Sequence, residues 1–392
     1  MRNQAVTFLK LRRILRKLRM QKANFCSCRE FVFSGELVYN RRMYSRQFFE
    51  APEQLVKNGK AHFGTFDEVS PKIDIRGMRA PYAGIPLPSI ISNLRIKSRL
   101  EYIFSLNDFI GLSHFYDFKV IGLGEIIFFN KETGKKYVYH TIMAPRRRFV
   151  PVLTTRGICA CYRKPRFIKI SWGRQHKHHA LTFKVKGDNA RPDAEGYIYS
   201  SIQDDMHTDA LFVCPSPASS RCSATWFSCM KTFGHIAING ENAPDTEGLG
   251  MMLLNRAYYK FHSNSSTVYG IGNVKGKDIV FYLKTSNMDA ADADTYNCNV
   301  LVTDGKKTAL PPVYMTHPFG IDKNWIIQDT ESMVDLTFTP LSVNSRTLNL
   351  IALRTNYYTM YGTFEGVLLN SDGEKIILKN FPGLLHKGML RL

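Results

Sequence analysis

A chain of 392 residues, 44% hydrophobic and 12% aromatic with 26 Phe and 19 Tyr, can bury enough apolar surface to offset its ordering entropy, which excludes bulk disorder. That length suits two domains of ordinary size or one large all-β domain. The formal net charge is +20, of which residues 1–30 carry +8 and the remainder +12, so the globular part is basic without an extreme that would dictate a nucleic-acid partner.

At the N-terminus, Leu11, Ile14, Leu15 and Leu18 recur at helical spacing, with Lys10, Arg13, Arg16 and Lys17 between them. The spacing predicts a basic amphipathic helix over residues 8–19, interrupted too often by charge to serve as a secretory signal. Such a helix can lie against an anionic membrane surface or fold onto the domain. Residues 1–30 are therefore read as an extension, and no run in the chain approaches the ~20 apolar residues of a membrane-spanning helix. Eight cysteines show no zinc spacing, and free thiols in a reducing, cytoplasmic setting are expected, with peripheral membrane contact through residues 8–19 as an added possibility.

Beyond residue 60 the apolar period is two. Leu181-Thr-Phe183-Lys-Val185 and Ile168-Lys-Ile170-Ser-Trp172 alternate as strands with one buried face, and similar runs occupy 118–129, 136–143, 279–284, 299–303, 335–339, 348–353, 360–369 and 375–379. Turn signals separate them at Gly134, Gly187-Asp188-Asn189, Gly276, Asp304-Gly305 and Asp372-Gly373. A succession of hairpins predicts an all-β fold, a sandwich or an up-and-down barrel, with two antiparallel β-barrel halves as the expected arrangement. Helical character after residue 30 is confined to a short stretch near 51–57. The segment Cys214-Pro-Ser-Pro217-Ala-Ser-Ser220 marks the expected division, giving halves at 31–218 and 219–392.

Several motifs invite chemistry. His176, His178 and His179 lie at strand spacing, but with Lys177 among them and no acidic ligand they read as a solvated strand end. Gly122-Leu-Gly124, Gly248-Leu-Gly250 and Gly270-Ile-Gly272 lack the remaining residues of a dinucleotide or phosphate loop and read as turns or strand bends. Arg146, Arg147, Arg148, Arg163, Lys164, Arg166 and Lys169, interleaved with Tyr162 and Phe167, could hold single-stranded nucleic acid, but such a cluster is more often a solvated face. Asp204, Asp205, His207 and Asp209 read as a loop ending a strand. No metal site and no cofactor are expected.

In the C-terminal half, Trp325-Ile-Ile-Gln-Asp329, Asp335-Leu-Thr-Phe338-Thr-Pro340, Tyr361-Gly362-Thr-Phe364-Glu-Gly366 and Asp372-Gly373 follow one another. Upstream stand Leu94-Arg95-Ile96-Lys97 and Ile127-Phe-Phe129-Asn-Lys-Glu-Thr133-Gly134. In order and spacing these patches resemble the family known as domain of unknown function 2804, over about residue 31 to the end. The resemblance implies a pair of lipocalin-like β-barrels, akin to carotenoid hydratases and tocopherol cyclases, and implies no activity. The chain departs from the family pattern where Leu253-Leu254-Asn255-Arg256 stands for Asp-Trp-Gly-Arg, where Asn297-Cys298-Asn299 stands for Thr-Glu-Asn, and where Thr359 stands for Gln; lost acids cannot serve as proton donors or acceptors here.

The expected function is binding of an apolar or lipid-like small molecule in a barrel pocket, with Arg256, Tyr258, Asn299, Trp325 and Tyr361 as its contacts. An enzyme acting by proton transfer on a lipid or isoprenoid-like substrate is the alternative, with Arg256, Tyr258, Asn299 and Tyr361 as polar groups of the pocket. A third reading is association of the basic patches with nucleic acid or an anionic surface. The site is expected to be concave, in the second half, approached by Arg256 or Trp325.

Overall fold

The computed structural model describes residues 44–391, apart from 45, 80, 82–86, 147, 148, 165, 174–177, 351 and 352. The helix expected over 8–19, together with Arg147, Arg148 and His176, lies outside these residues. Among the described residues the only helix is the single short α1 (Ser89–Leu94), and none is long and apolar enough to cross a membrane. The stretch 51–57 is not helical; it leads into β1 (Val56–Lys57), which pairs with β2 (Lys60–Ala61).

Two antiparallel sheets account for nearly everything else. The first contains β3 (Gly64–Phe66), β4 (Ile96–Ser105), β5 (Phe109–Asp117), β6 (Gly122–Asn130), β7 (Lys136–Met143), β8 (Arg156–Arg163), β9 (Arg166–Gly173), β10 (His178–Val185), β11 (Ala194–Ser201), β12 (Thr208–Ser216), β13 (Ala218–Ile238) and β14 (Thr246–Tyr258). The second contains β15 (His262–Val274), β16 (Lys277–Ser286), β17 (Val300–Thr303), β18 (Lys306–Ala309), β19 (Val313–Thr316), β20 (Trp325–Asp329), β21 (Val334–Leu350), β22 (Leu353–Leu369) and β23 (Lys375–Arg391). The spatial order is β7-β6-β5-β4-β14-β13-β11-β10-β9-β8, with β12 and β3 branching from β13, and β18-β17-β16-β15-β23-β22-β21-β20-β19.

Both sheets curl into nearly closed barrels. In the first, Arg163 and Arg166 reach from β8 and β9 to the carbonyls of Ile142 and His140 on β7, joining the two edges that lack a backbone ladder. In the second, Asn299 holds the chain between β18 and β19: its carbonyl accepts from Leu310 N at 3.0 Å and its amide donates to Pro311 O at 2.7 Å. Curling puts one face of each strand inside. Leu100, Tyr102 and Phe104 of β4, Phe115 of β5 and Ile126 and Phe128 of β6 share a core with Trp172, Phe183 and Trp226, while Phe281, Trp325, Phe338, Phe364 and Phe381 fill the second barrel.

The expected turns form as the sequence requires. Asp304 and Gly305 take φ of 47° and 79°, the paired positive values of a tight hairpin between β17 and β18 that glycine tolerates at the second position. The Gly-x-Gly motifs lie inside strands; a Cβ at Gly270 would sit 2.1 Å from the Phe281 ring, so the missing side chain makes room for a neighbouring aromatic.

The division expected at 218/219 lies elsewhere. β12 and β13 pair from Thr208↔Cys229 to Pro215↔Cys222, and the ladder slips between Pro215 and Ser216, so the prolines sit at a hairpin end, where a missing N–H costs little. The change of sheet falls between Tyr258 and His262. The run at 348–353 likewise spans the end of β21 and the start of β22 rather than one strand.

Outer faces of the two barrels meet in a seam. At one end it is apolar: Ile103, Leu112, Ile127 and Phe129 pack with Phe227 and Met251 against Ile271, Val280, Val302 and Leu384. At the other end the same strands present charge.

Candidate functional site

Along β4, β5 and β6, residues two positions apart share a face, so the face holding Ile103, Leu112 and Ile127 continues to Glu101, His114 and Glu125. Register aligns these three side by side, as Glu101↔His114 and His114↔Glu125, and His140 on β7 follows opposite Glu125. An acid–imidazole–acid–imidazole row thus crosses four adjacent strands. Its first three members are buried beneath the second barrel, which returns Tyr357, Thr359 and His386 from β22 and β23 and Arg346 from β21.

Glu125 is the hub. The His114 Nε2 lies 2.9 Å from its Oε2, off the ideal N–H axis, Tyr357 OH donates to Oε2 at 2.8 Å, and Arg346 approaches Oε1 at 3.4 Å. Burial pushes this carboxyl up, but the His114 ring, Arg346 and Tyr357 outweigh it and hold Glu125 below the usual carboxylate range. Burial and the neighbouring carboxylate push the Tyr357 phenol far up, so it stays a donor.

A second carboxylate, Glu101, pairs with Arg99 and accepts from Tyr269 OH at 2.8 Å. The Arg99 guanidinium also stacks over the Tyr116 ring at 4.9 Å. His386 links the two halves: Thr359 Oγ1 lies 3.1 Å from its Nδ1, and Tyr116 OH 3.4 Å from its Nε2. Burial, Arg99 and His114 push its pKa well below the usual histidine range, so the ring is neutral and one nitrogen accepts a proton. Its ring stands 6.1 Å from that of His114.

A cavity of about 50 Å³ opens along this cluster, lined by Lys97, Arg99, Tyr116, Tyr357 and His386 together with Phe118, Leu123, Met389 and Leu390. Met389 and Leu390 also line a wider vestibule of about 440 Å³ with His262, Arg354 and Arg391. On the far side of Arg99 a smaller cavity of about 30 Å³ is bordered by Glu101, Asn255, Tyr282 and Lys284. Lys97 donates to the carbonyls of Phe118 at 2.5 Å and Leu94 at 3.2 Å; burial, with Arg95 and Lys119 nearby, lowers its pKa to about 8. Two cations and a neutral imidazole therefore border one small space whose remaining wall is largely apolar.

The five residues singled out from sequence do not converge. Arg256 belongs to β14 of the first sheet, where it donates to Ser98 Oγ, Val150 O and Pro151 O. Tyr258 donates to Ile75 O at 2.9 Å, Asn299 pins the β18–β19 connection, and Tyr361 reaches Lys131 O at 3.1 Å beneath Phe129. Trp325 is wholly buried in the second barrel, its indole donating to Ile321 O. None of the five lines the seam cavity.

Other motifs resolve separately. His178 stacks on Tyr199, whereas His179 is not solvated: it points into the first barrel against Trp226, and burial lowers its pKa to about 4. Asp204 caps the turn before β12, and Asp209 accepts from Trp226 Nε1 at 3.0 Å. Among the described residues no three metal-ligating side chains form a group that could hold an ion.

Sequence reasoning passed over Glu101, His114, Glu125 and His386. A signal existed for Glu125: it directly precedes Ile126-Ile-Phe-Phe129, and four consecutive apolar residues in a strand imply that both faces are buried. A lone carboxylate in such a run needs a partner.

By sequence, residues 51–391 match the family described as Domain of unknown function (DUF2804). No curated protein matches the chain by sequence. Among solved structures, similarity extends to CghA crystallised with Sch210972, at 8% identity and a TM-score of 0.42 over 76% of this chain and 88% of that one. It extends also to kievitone hydratase from Nectria haematococca, at 9% identity and a TM-score of 0.38 over 84% and 97%. Scores this low carry no inference about chemistry.

Proposed function

The chain belongs to the DUF2804 family, and from that premise we propose that it is an enzyme that moves a proton on a small, largely apolar carbonyl compound held in the seam between its two barrels. The observation behind this reading is the neutral His386 imidazole on the wall of a cavity that also presents Arg99 and Lys97. A neutral imidazole is a competent base, and the two cations oppose the negative charge that grows on a carbonyl oxygen as the adjacent proton leaves. Tyr116 or Thr359 can return or relay the proton through the two ring nitrogens.

Apolar body and polar head are both provided for. Phe118, Leu123, Met389 and Leu390 suit a hydrocarbon portion, and Arg354 and Arg391 in the vestibule attract an oxygen-bearing or anionic end. A lipid-like ligand larger than the cavity would leave its tail in the vestibule. The six described cysteines are free thiols, which supports a cytoplasmic setting.

Incubation with a small-molecule extract of the source cells in deuterated water tests the reading whatever the substrate's identity. Wild-type protein should place deuterium on at least one extract component, and His386→Gln should abolish the exchange while retaining the fold. A component retained by the protein without any exchange would mean binding alone and would overturn catalysis.

A further inference from the structure

At the end of the first barrel, away from the residues of the seam cavity, β8, β9, β10, β11 and the turn at Asn239 and Gly240 after β13 border a second concavity. This groove encloses about 900 Å³, within the ~300–1,000 Å³ of small-molecule sites. We propose that it binds a planar aromatic anion.

Three features support that ligand chemistry. First, Tyr162 and Phe167 provide ring faces, 5.0 Å apart by centroid and tilted by 36°, and Tyr162 is 61% exposed, so one face is available for stacking. Second, charge is one-sided: Arg163, Lys164, Arg166, Lys184 and Lys186 line the groove against Asp193 and Glu195. Third, the two acids are already engaged. Glu195 pairs with Lys184 at 2.7 Å, and Asp193 accepts from Gly187 N at 2.7 Å. Arg166 is committed to His140 O and Arg163 to Ile142 O, leaving Lys164 and Lys186 without an ion-pair partner among the described residues. Val185 and Ala194 complete an apolar floor. Apolar floor, open ring face and two uncommitted ammonium groups together favour a flat π-system bearing a negative group over a neutral lipid or a bare inorganic anion.

The test uses 8-anilinonaphthalene-1-sulfonate as probe, with its neutral analogue N-phenyl-1-naphthylamine, each titrated by fluorescence into the full-length protein. Binding of the anion should weaken by about tenfold or more in Lys164→Glu/Lys186→Glu, by a comparable factor in Tyr162→Ala, and further in 0.5 M salt, because all three positions are exposed and act through stacking or screened charge. His386→Gln should leave it unchanged, separating this groove from the seam. Equal affinity for the neutral analogue, indifference to the charge reversal, or a loss on His386→Gln would overturn the proposal. So would tight binding of single-stranded oligonucleotides with affinity growing with length, which would make the groove a nucleic-acid surface.

Discussion

The interiors of the two barrels and the seam between them are built from opposite faces of the same strands, yet they differ in kind. On β4, Leu100, Tyr102 and Phe104 point into a core of rings and aliphatic chains, while Arg99 and Glu101 point out into a charged cluster. Both environments exclude water, but the interior is held mainly by close packing, with isolated polar groups such as the Tyr102 hydroxyl on Ser200 and the buried His179 ring. The seam must satisfy every polar atom, and it does so incompletely: Arg99 Nε and His114 Nδ1 are buried without a hydrogen-bond partner. Buried ionic groups seldom add net stability over apolar residues of the same size, which is why the proposed proton transfer is assigned to this cluster and not to the interiors.

Mutation can break that contrast. Phe281→Ala, in the second barrel, should cost about 3–5 kcal/mol in urea unfolding, through a cavity that the surrounding rings cannot refill. Glu125→Ala should cost a similar ~3–5 kcal/mol for a different reason, since Arg346 loses its counter-charge and the buried Tyr357 hydroxyl its acceptor. The two diverge on compensation: in His114→Leu/Glu125→Leu only Arg346 and Tyr357 lose a partner, so stability should recover by about 1–2 kcal/mol over Glu125→Ala, while deuterium exchange falls because Tyr357 loses the carboxylate that orients it at the cavity. A double variant as unstable as Glu125→Ala would make the row structural.

Acid should sharpen the comparison next. His140 and His179 are lowered to about 4, mainly by burial, and His386 lies well below its usual range. In the unfolded chain each titrates near ~6.5, so below that value the unfolded state binds protons that the fold refuses. Stability from these groups is complete above pH ~6.5 and is lost as pH falls toward about 4. Glu125, held below its usual value, adds its own loss only when pH falls below the ordinary carboxylate range. Thermal melts at pH 7, 5 and 4 should therefore fall steadily, and His179→Gln should flatten the decline; an unchanged slope would mean that the ring is already charged in the fold. Smallest of all, Tyr162→Ala at the groove should alter stability by no more than about 0.5 kcal/mol, since its ring is mostly in solvent.

Much of the architecture is written locally. Alternation in Leu181-Thr-Phe183-Lys-Val185 and positive φ at Asp304-Gly305 depend on neighbours one or two residues away, so the β class, the hairpins and their turns follow from sequence. The location of the sheet change does not, because Pro215 and Pro217 break a ladder equally well at a hairpin end or at a domain boundary, and only the pairing of β12 with β13 distinguishes them. The site was less legible still. Alternation marks Arg99, Glu101, His114 and Tyr116 as one polar face, and a polar face ordinarily meets water; that it meets Tyr357, Thr359 and His386 depends on how a second barrel, more than 200 residues further along the chain, docks upon it. Arg256, by contrast, looked like a free polar anchor and is spent on Ser98, Val150 and Pro151, none of them near it in sequence. Sequence by itself determined which residues turn inward and which outward, because pleating is a property of the strand. Tertiary structure decided what the outward residues face, because that is a property of the partner surface, and there it set imidazoles and carboxylates together out of reach of water.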